Sequence, residues 1–333
     1  MQIMTELTVL MPVYNCEEYI THSICSILSQ TYTDFKFYIL DDGSSDSSID
    51  IINKFKEIDS RIYVFKNKEN LGIKSSRQQL IDLVKTDFFA WMDADDIAPS
   101  NRLNSQMSKI KVDDTIGVVS GFNASLQGEC EKLIPLSSEE VLARLIVGNV
   151  ISNMAIVRHS DFIKSGFSFL ECEVDSASDY ALWVAMSRVC KIIKLSMVCN
   201  YYRRHPRQES TLNIKKQQYS GKKICGSCFS HLGVSIPPDL THSIRLFPNE
   251  VVKPSIAKKI LNIYRETIRL NKKKKMYVHR YLVDALADSY RRHCRCFGLY
   301  GVWIFIQNFG FNRFLKGEKL GFSFIKYCWK KYS

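Results

Sequence analysis

Four short apolar runs, Leu7 to Val13, Phe35 to Leu40, Ile62 to Phe65 and Phe88 to Met92, alternate with amphipathic stretches of helical length through the first 92 residues. Runs this short, bounded by turn residues, read as strands buried on both faces. Asn15 is placed to cap a helix from about Glu17 to Gln30, which gathers Ile20, Ile24, Ile27 and Leu28 on one face. The next helix turns Ile49, Ile52 and Phe55 inward, and a third follows Asn70-Leu71-Gly72 to about Val84. Strands alternating with such helices build βαβ units and a parallel sheet covered on both faces, an α/β architecture. Ile116 to Ser120 continues the sheet, and Ser137-Ser138-Glu139-Glu140 opens a capping-box helix to about Val147. Between Ser152 and Leu195 the pattern is mixed, with Ser178 to Val189 its clearest helix; beyond Ser210 the chain reads as mostly helical.

In open α/β sheets ligands bind at the carboxyl ends of strands, so polar residues there are the candidates for a site. The fourth run ends in Asp93-Ala94-Asp95-Asp96. Carboxylates crowded this tightly repel one another unless a cation neutralises them, and hard oxygen ligands favour Mg²⁺ or Mn²⁺. If the strand extends through the cluster at the edge of the sheet, Asp93 and Asp95 point the same way, one to a ribose and the other to a metal. Asp42, after the second strand, can accept from a nucleobase N–H or a ribose hydroxyl, while Asp41 and Asp46 fit turn and capping positions. Pro12-Val13-Tyr14-Asn15 leads into a helix N-terminus, which favours an anion. Neither a Gly-x-Gly-x-x-Gly fingerprint nor a P-loop is present there, which argues against hydride transfer and NTP hydrolysis.

Val9-Leu10-Met11-Pro12-Val13-Tyr14-Asn15, Leu40-Asp41-Asp42-Gly43-Ser44-Ser45-Asp46, Asn70-Leu71-Gly72 and Met92-Asp93-Ala94-Asp95-Asp96 resemble, in order and spacing, the family 2 glycosyltransferases of GT-A fold. The resemblance covers roughly residues 5–210. It implies a Rossmann-like, mixed, mostly parallel sheet flanked by helices, a nucleotide-sugar donor, Mn²⁺ or Mg²⁺, and inversion at the anomeric carbon. Carried over by position, Pro12, Tyr14, Asp42, Arg77 and Asp93 are donor-binding residues. Asp95 is the metal ligand, with Asp93 or Asp96 in support. Ser178-Asp179-Tyr180-Ala181-Leu182-Trp183 resembles the segment holding the family's catalytic base, with Ser178 where the family usually has Glu. Asp179 is then the base, a role a carboxylate can fill by taking the acceptor's proton as the new bond forms. Tyr201-Tyr202-Arg203-Arg204-His205-Pro206 resembles a further segment, with Arg204 a phosphate contact and His205 a metal or phosphate contact.

Charge is unevenly placed. Residues 201–333 carry 27 Lys+Arg against 7 Asp+Glu, leaving 19 against 27 in residues 1–200. The sequence therefore divides into a catalytic part, 1–210, and a helical, basic C-terminal region, 211–333. Lys272 to Lys275, followed by an amphipathic segment to Phe297, adds a positive run. Further on, Trp303, Phe305, Phe309, Phe311, Phe314, Phe322, Phe324, Tyr327 and Trp329 interleave with Arg313, Lys316, Lys319, Lys326, Lys330 and Lys331. This mixture suits an anionic membrane surface, where lipid-linked saccharide acceptors are delivered, better than nucleic acid. No apolar run is long enough to span a bilayer, and Met1 to Glu6 lacks the pattern of a signal peptide. The sequence predicts a cytoplasmic chain on the inner membrane face. Eleven scattered cysteines fit reduced thiols; Cys225 and Cys228, with His231, His293, Cys294 and Cys296, have zinc-ligand chemistry without a recognised spacing.

The expected reaction is transfer of a hexose, glucose or galactose, from a UDP-sugar to a lipid-linked glycan in lipopolysaccharide, O-antigen or capsule synthesis. A sugar-nucleotide pyrophosphorylase would need a Gly-rich basic loop that is absent between Met11 and Tyr19. A nucleic-acid-binding protein would leave the Asp cluster without a purpose.

Overall fold

A computed structural model describes residues 6–130, 132–206, 208–246, 250–310 and 313. In chain order its first elements are β1 (Leu7–Val13), α1 (Ile20–Leu28), β2 (Phe35–Asp41), α2 (Ser48–Ile58), β3 (Ile62–Lys66), α3 (Ile73–Asp82) and β4 (Phe88–Trp91). There follow α4 (Arg102–Ile110), β5 (Ile116–Ser125), α5 (Ser138–Leu145), β6 (Ile156–Arg158), α6 (His159–Ser165), α7 (Ser178–Met186) and β7 (Lys191–Tyr202). The remainder is helical: α8 (Glu209–Leu212), α9 (Ile214–Leu232), α10 (Pro238–Thr241), α11 (Pro254–Lys274), α12 (His279–Cys294) and α13 (Gly298–Phe309). Two compact units result, Met1–Ser138 with Ile151–Leu212, and Glu139–Val150 with Asn213–Ser333. Most of α5, which precedes β6 in sequence, thus groups with the C-terminal helices.

The first unit is a mixed, mostly parallel α/β sheet in the order β3-β2-β1-β4-β6-β5-β7. β1 pairs in parallel with β2 and β4, Leu7 standing opposite Phe35 and Phe88. All seven residues of β1 are buried, as a central strand covered on both faces requires. Ile20, Ile24 and Ile27 of α1 and Leu103, Met107 and Ile110 of α4 join Val9, Met11, Phe37 and Ile39 in one core.

Several expectations change. β4 is the middle strand, not an edge, because β6 inserts antiparallel between β4 and β5. At three residues β6 is too short to carry a period. β7 lies in the stretch whose pattern is mixed, since few of its 12 residues are buried and these do not alternate. Asn15 does not cap α1: it takes a left-handed conformation, φ 50°, and α1 begins at Ile20. Its side chain serves another loop instead, as described below.

The end of β4 is fixed from beneath. Arg102, fully buried at the start of α4, donates from Nη2 to the Trp91 carbonyl at 2.6 Å and from Nε to Gln106 Oε1 at 3.2 Å. Gln106 Nε2 in turn donates to the carbonyls of Val119 and Met154. Burial pulls the Arg102 guanidinium down to about 10. A buried cation is tolerated only where its donors are satisfied, so this network sets the height at which the chain leaves the sheet.

In the second unit Phe229 stacks on Tyr264 at 5.8 Å, and the Tyr264 hydroxyl donates to the Ile244 carbonyl at 2.8 Å. Cys225, Cys228 and Cys294 are buried thiols on helices, and the His293 Nε2 lies 2.7 Å from the Ser243 carbonyl. Among the described residues no group of three or more His, Cys, Asp or Glu is arranged to hold a metal, so a zinc site built on Cys225 and Cys228 is not formed. Phe305 and Phe309 are core residues of this unit, not surface aromatics, whereas Trp303 is exposed. Phe311, Phe314, Lys316, Lys319, Phe322, Phe324, Lys326, Tyr327, Trp329, Lys330 and Lys331 lie outside the described residues.

Candidate active site

The loops after β1 and β2 are stitched together. Asn15 N donates to Ser44 Oγ at 3.0 Å, and Ser45 N donates back to Asn15 Oδ1 at 2.9 Å. Asp46 accepts from Glu17 N and Ser48 N, both at 3.0 Å, and Ser47 N donates to Glu17 Oε2. These bonds draw the Asp46 carboxyl below the usual carboxylate range despite partial burial. Pro12 is buried in β1 opposite Leu40, and Tyr14, the next residue but one, is 45 % exposed at the mouth of the strand.

Asp42 is buried, and its carboxylate is largely occupied. Oδ1 accepts from Asn67 Nδ2 at 2.7 Å and Leu71 N at 3.0 Å, and Oδ2 accepts from Gly72 N at 2.9 Å. Asp42 therefore folds the Asn70-Leu71-Gly72 loop over β2, using three of the roughly four acceptor positions a carboxylate offers. The neighbouring Gly43 has φ +69°, and a Cβ there would stand 2.6 Å from the Glu69 carbonyl carbon, so only glycine lets these loops close.

The acidic cluster is a turn rather than an extended strand. β4 ends at Trp91, and Asp96 N donates to Asp93 O at 3.4 Å. Ser23 Oγ of α1 holds the turn's backbone, 2.7 Å from the carbonyls of both Ala94 and Asp96. Folding into a turn separates the three carboxylates. Asp93 accepts from Asn153 Nδ2 at 3.0 and 3.1 Å, and its Oδ1 is 3.6 Å from Arg77 Nη2. The Asp95 Oδ2 is 3.0 Å from His205 Nε2. Asp96, expected to support the metal, is 1 % exposed and accepts from Asn200 Nδ2 at 2.6 Å and Arg203 N at 2.9 Å. It fastens the turn to β7 and the segment after it.

Electrostatics follow from this packing. Burial first, and then the Asp93 charge, push the Asp95 carboxyl up, opposed by its bond to His205. The Asp96 carboxyl is pushed up to about 8 by burial and by the charges of Asp93 and Asp95. Three acidic groups thus share too little positive charge, a deficit that a cation at the Asp95 end would relieve.

Residues 201–206 divide differently from expectation. Arg204 has a side chain 67 % exposed and stands 3.8 Å from Glu129, away from the acidic turn. Arg203 is the arginine tied to the turn: its Nε donates to the Asp95 carbonyl at 2.9 Å and its guanidinium lies 5.0 Å from the Tyr19 ring. His205 packs on the same ring at 4.6 Å. Its Nδ1 is buried without a hydrogen-bond partner.

Asp179 is the second residue of α7, entered through Ala177 at φ 57°, a left-handed conformation that costs a non-glycine residue about 1–2 kcal/mol. Strained backbone of this kind gathers at functional sites. Burial pushes the Asp179 carboxyl up, and the Arg77 charge opposes this most strongly. Arg77 thus acts on Asp93 and Asp179 together, its guanidinium held 5.6 Å from the Trp91 ring and 5.9 Å from the Phe169 ring. The loop before α7 hangs on α3: Lys74 Nζ donates to the carbonyls of Cys172 at 2.7 Å and Val174 at 3.2 Å, and Gln78 Oε1 accepts from Phe169 N. Asn153, Asn200, Lys74 and Gln78 carry no signal in the sequence alone, because each acts on a partner distant in the chain, and nothing local separates Arg203 from Arg204.

A family model described as glycosyl transferase family 2 matches residues 8–143, a span that contains Asp42, Arg77 and the acidic turn. That part of the chain is similar to glycosyl transferase family 2. Among its relatives is an uncharacterized glycosyltransferase of Haemophilus influenzae, 26 % identical over 229 residues, 65 % of this chain and 71 % of the relative. The UDP-Glc:alpha-D-GlcNAc-diphosphoundecaprenol beta-1,3-glucosyltransferase WfaP of Escherichia coli is 27 % identical over 211 residues, 63 % of this chain and 81 % of that protein. The crystal structure of S. aureus TarS 1-349 in complex with UDP-GlcNAc shares the fold, with a TM-score of 0.57 at 17 % identity, covering 95 % of this chain and 92 % of that one. The protein is a glycosyltransferase of GT-A architecture, and of the three readings open to the sequence the transferase stands.

The glycosyltransferase's residues fit a divalent cation only as part of a shell. Asp95 and His205 form a pair, and among the described residues no third His, Cys, Asp or Glu completes a protein-only set. Mg²⁺ and Mn²⁺ commonly take one or two carboxylates and fill the remaining positions with substrate phosphate and water. Burial, and after it the neighbouring acidic charges, raise the Asp95 and Asp96 carboxyls at this end of the turn.

Proposed function

We propose that this glycosyltransferase moves a hexose, glucose or galactose, from a UDP-sugar to a hydroxyl of a lipid-linked glycan, with inversion, in the assembly of lipopolysaccharide, O-antigen or capsule. The observation that carries the site assignment is the joint hold of Arg77 on Asp93, at 3.6 Å, and on the Asp179 charge. It links a donor-side carboxylate to a carboxylate with a raised pKa. Asp179 is then the base. The acceptor oxygen forms its bond to the anomeric carbon, its proton passes to the Asp179 carboxylate, and the bond from that carbon to the diphosphate oxygen breaks, its electron pair leaving with UDP. Attack opposite the leaving group inverts the centre.

Asp95 and His205 would hold Mn²⁺ or Mg²⁺, which when bound supplies positive charge to the departing diphosphate. Asp93, kept in place by Asn153 and Arg77, binds the donor, and Asp42 retains one acceptor position for its base or ribose. Pro12 and Tyr14 border the base. Arg203, better placed than Arg204, steadies the turn that meets the diphosphate. The UDP-glucose and diphosphoundecaprenol in the WfaP name, and the UDP-GlcNAc bound by TarS, support the donor and acceptor classes. A lipid-linked acceptor places the enzyme at the inner face of the cytoplasmic membrane. Among the described residues no helix is long and apolar enough to cross a membrane, so attachment would be peripheral.

The test is a panel of UDP- and GDP-sugars assayed for Mn²⁺-dependent nucleotide release and for transfer to a polyprenyl-diphosphate saccharide. Release from a UDP-hexose, lost in Asp95→Ala, is expected. Turnover of GDP-sugars alone, or full metal-dependent turnover by Asp95→Ala, would overturn the donor and metal assignments respectively.

A further inference from the structure

α13 is a 12-residue helix without a charged side chain, and its two faces differ sharply. Gly301, Phe305 and Phe309 are buried, while Tyr300 and Trp303 are 61 % and 57 % exposed, with Gln307 between them on the outer face. The two exposed rings stack on each other at 5.8 Å and 15° rather than on the core. α11 in the same unit presents a cationic outer face. Arg265 and Arg269 are four residues apart on it, Lys272 and Lys273 follow Arg269 by three and four, and Lys258 stands two turns before Arg265, all exposed. Glu266, the acidic residue among them, pairs with Arg269 at 2.5 Å. The two faces adjoin, because Arg265 Nη2 of α11 donates to Asn308 Oδ1 of α13 at 2.6 Å.

We propose that α11 and α13 together form a bilayer-docking surface, with Tyr300 and Trp303 entering the headgroup layer and the α11 cations meeting anionic lipid headgroups. An exposed Tyr-Trp pair on an uncharged helix suits the interface between water and acyl chains, where amphipathic rings concentrate. Cations placed beside it add about 1 kcal/mol each, or roughly fivefold in affinity, on an anionic surface. A 12-residue helix is about 18 Å long, too short to cross about 30 Å of hydrocarbon, so it lies on the membrane rather than through it. Nucleic acid would use the cations but gives no reason for a charge-free aromatic face next to them. The inference deepens the reading of the acceptor as lipid-linked and assigns the surface that would bring the enzyme to it.

The test is flotation of the full chain with phosphatidylcholine vesicles and with vesicles containing phosphatidylglycerol, without donor or acceptor. Binding to the anionic vesicles is expected. It should weaken by roughly tenfold in a Tyr300→Ser, Trp303→Ser double variant, and by on the order of 100-fold in a Lys258→Gln, Lys272→Gln, Lys273→Gln triple variant. Circular dichroism and melting temperature should stay at wild-type values in both. Unchanged vesicle binding by both variants would overturn the proposal. So would a lack of binding by the wild type, dimerisation that Trp303→Ser abolishes in sedimentation, or RNA binding that the aromatic variants leave intact and that exceeds vesicle binding. Since no sugar is present, failure of the donor panel leaves this result standing, and failure here leaves the panel standing.

Discussion

His205 Nε2 lies 3.0 Å from Asp95 Oδ2, joining residues 110 positions apart in the chain. The imidazole is 10 % exposed, packed on Tyr19, and its Nδ1 has no hydrogen-bond partner. The pair brings an oxygen and a nitrogen donor to one place at the end of the central strand, next to two further carboxylates.

If this pair holds the cation, Asp95→Asn and His205→Ala should each lower metal-dependent nucleotide release by about 100-fold or more, through loss of several kcal/mol of charge stabilisation. Titrating Mn²⁺ against initial rate separates affinity from turnover. Wild-type Mn²⁺ dependence in His205→Ala would remove the histidine from the shell.

The acidic turn also predicts a pH dependence of stability. Burial and the neighbouring carboxylates raise Asp95 and push Asp96 up to about 8, against an unfolded value of about 3.9. Between about pH 4 and 8 the folded chain then binds more protons than the unfolded one, so this contribution to stability falls as pH rises. A cation favours the ionised forms. In chelator the melting temperature should be higher at pH 5 than at pH 8, and Mn²⁺ should raise it more at pH 8. A larger Mn²⁺ shift at pH 5 would contradict the charge balance described for the turn.

Asp179→Asn removes the proposed base while keeping the size of the side chain. Transfer to acceptor should fall by roughly 10²–10⁴-fold, with UDP affinity by calorimetry changed less than about twofold. Near-normal transfer would place the base elsewhere.

Lys74 offers a test at a residue that touches neither proposed substrate. Lys74→Met deletes its bonds to the Cys172 and Val174 carbonyls, charge-assisted bonds of about 1.5–3 kcal/mol each. The loop leading to Asp179 should loosen, lowering kcat by about tenfold while UDP affinity holds. An equal loss of UDP affinity would mean that Lys74 supports the donor side as well as the loop before α7.

Gly43→Ala probes the closure of the two loops above the sheet. A Cβ 2.6 Å from backbone at φ +69° has no room to relax, so a loss of more than about 1 kcal/mol is expected in denaturant melts. A neutral effect would show that the loops separate readily.

The alternation of apolar runs with amphipathic stretches determined the βαβ order; Asp42, Asp93 and Asp95 stood out locally as carboxylates after strands, and Asp179 stood out through the family resemblance. Local pattern put Asp93, Asp95 and Asp96 side by side as one acidic cluster. Only the tertiary structure separated them, turning Asp96 inward to Asn200, pairing Asp93 with Asn153 and leaving Asp95 to His205. The same holds for the arginines: Arg203 and Arg204 are adjacent and alike in sequence, yet one bonds the turn and the other stands in solvent. Periodicity records which side of an element is buried. It does not record which distant side chain meets which, because hydrogen bonds and charges choose partners by distance in space, and that distance exists only once β6 and β7 have closed the sheet beside the turn.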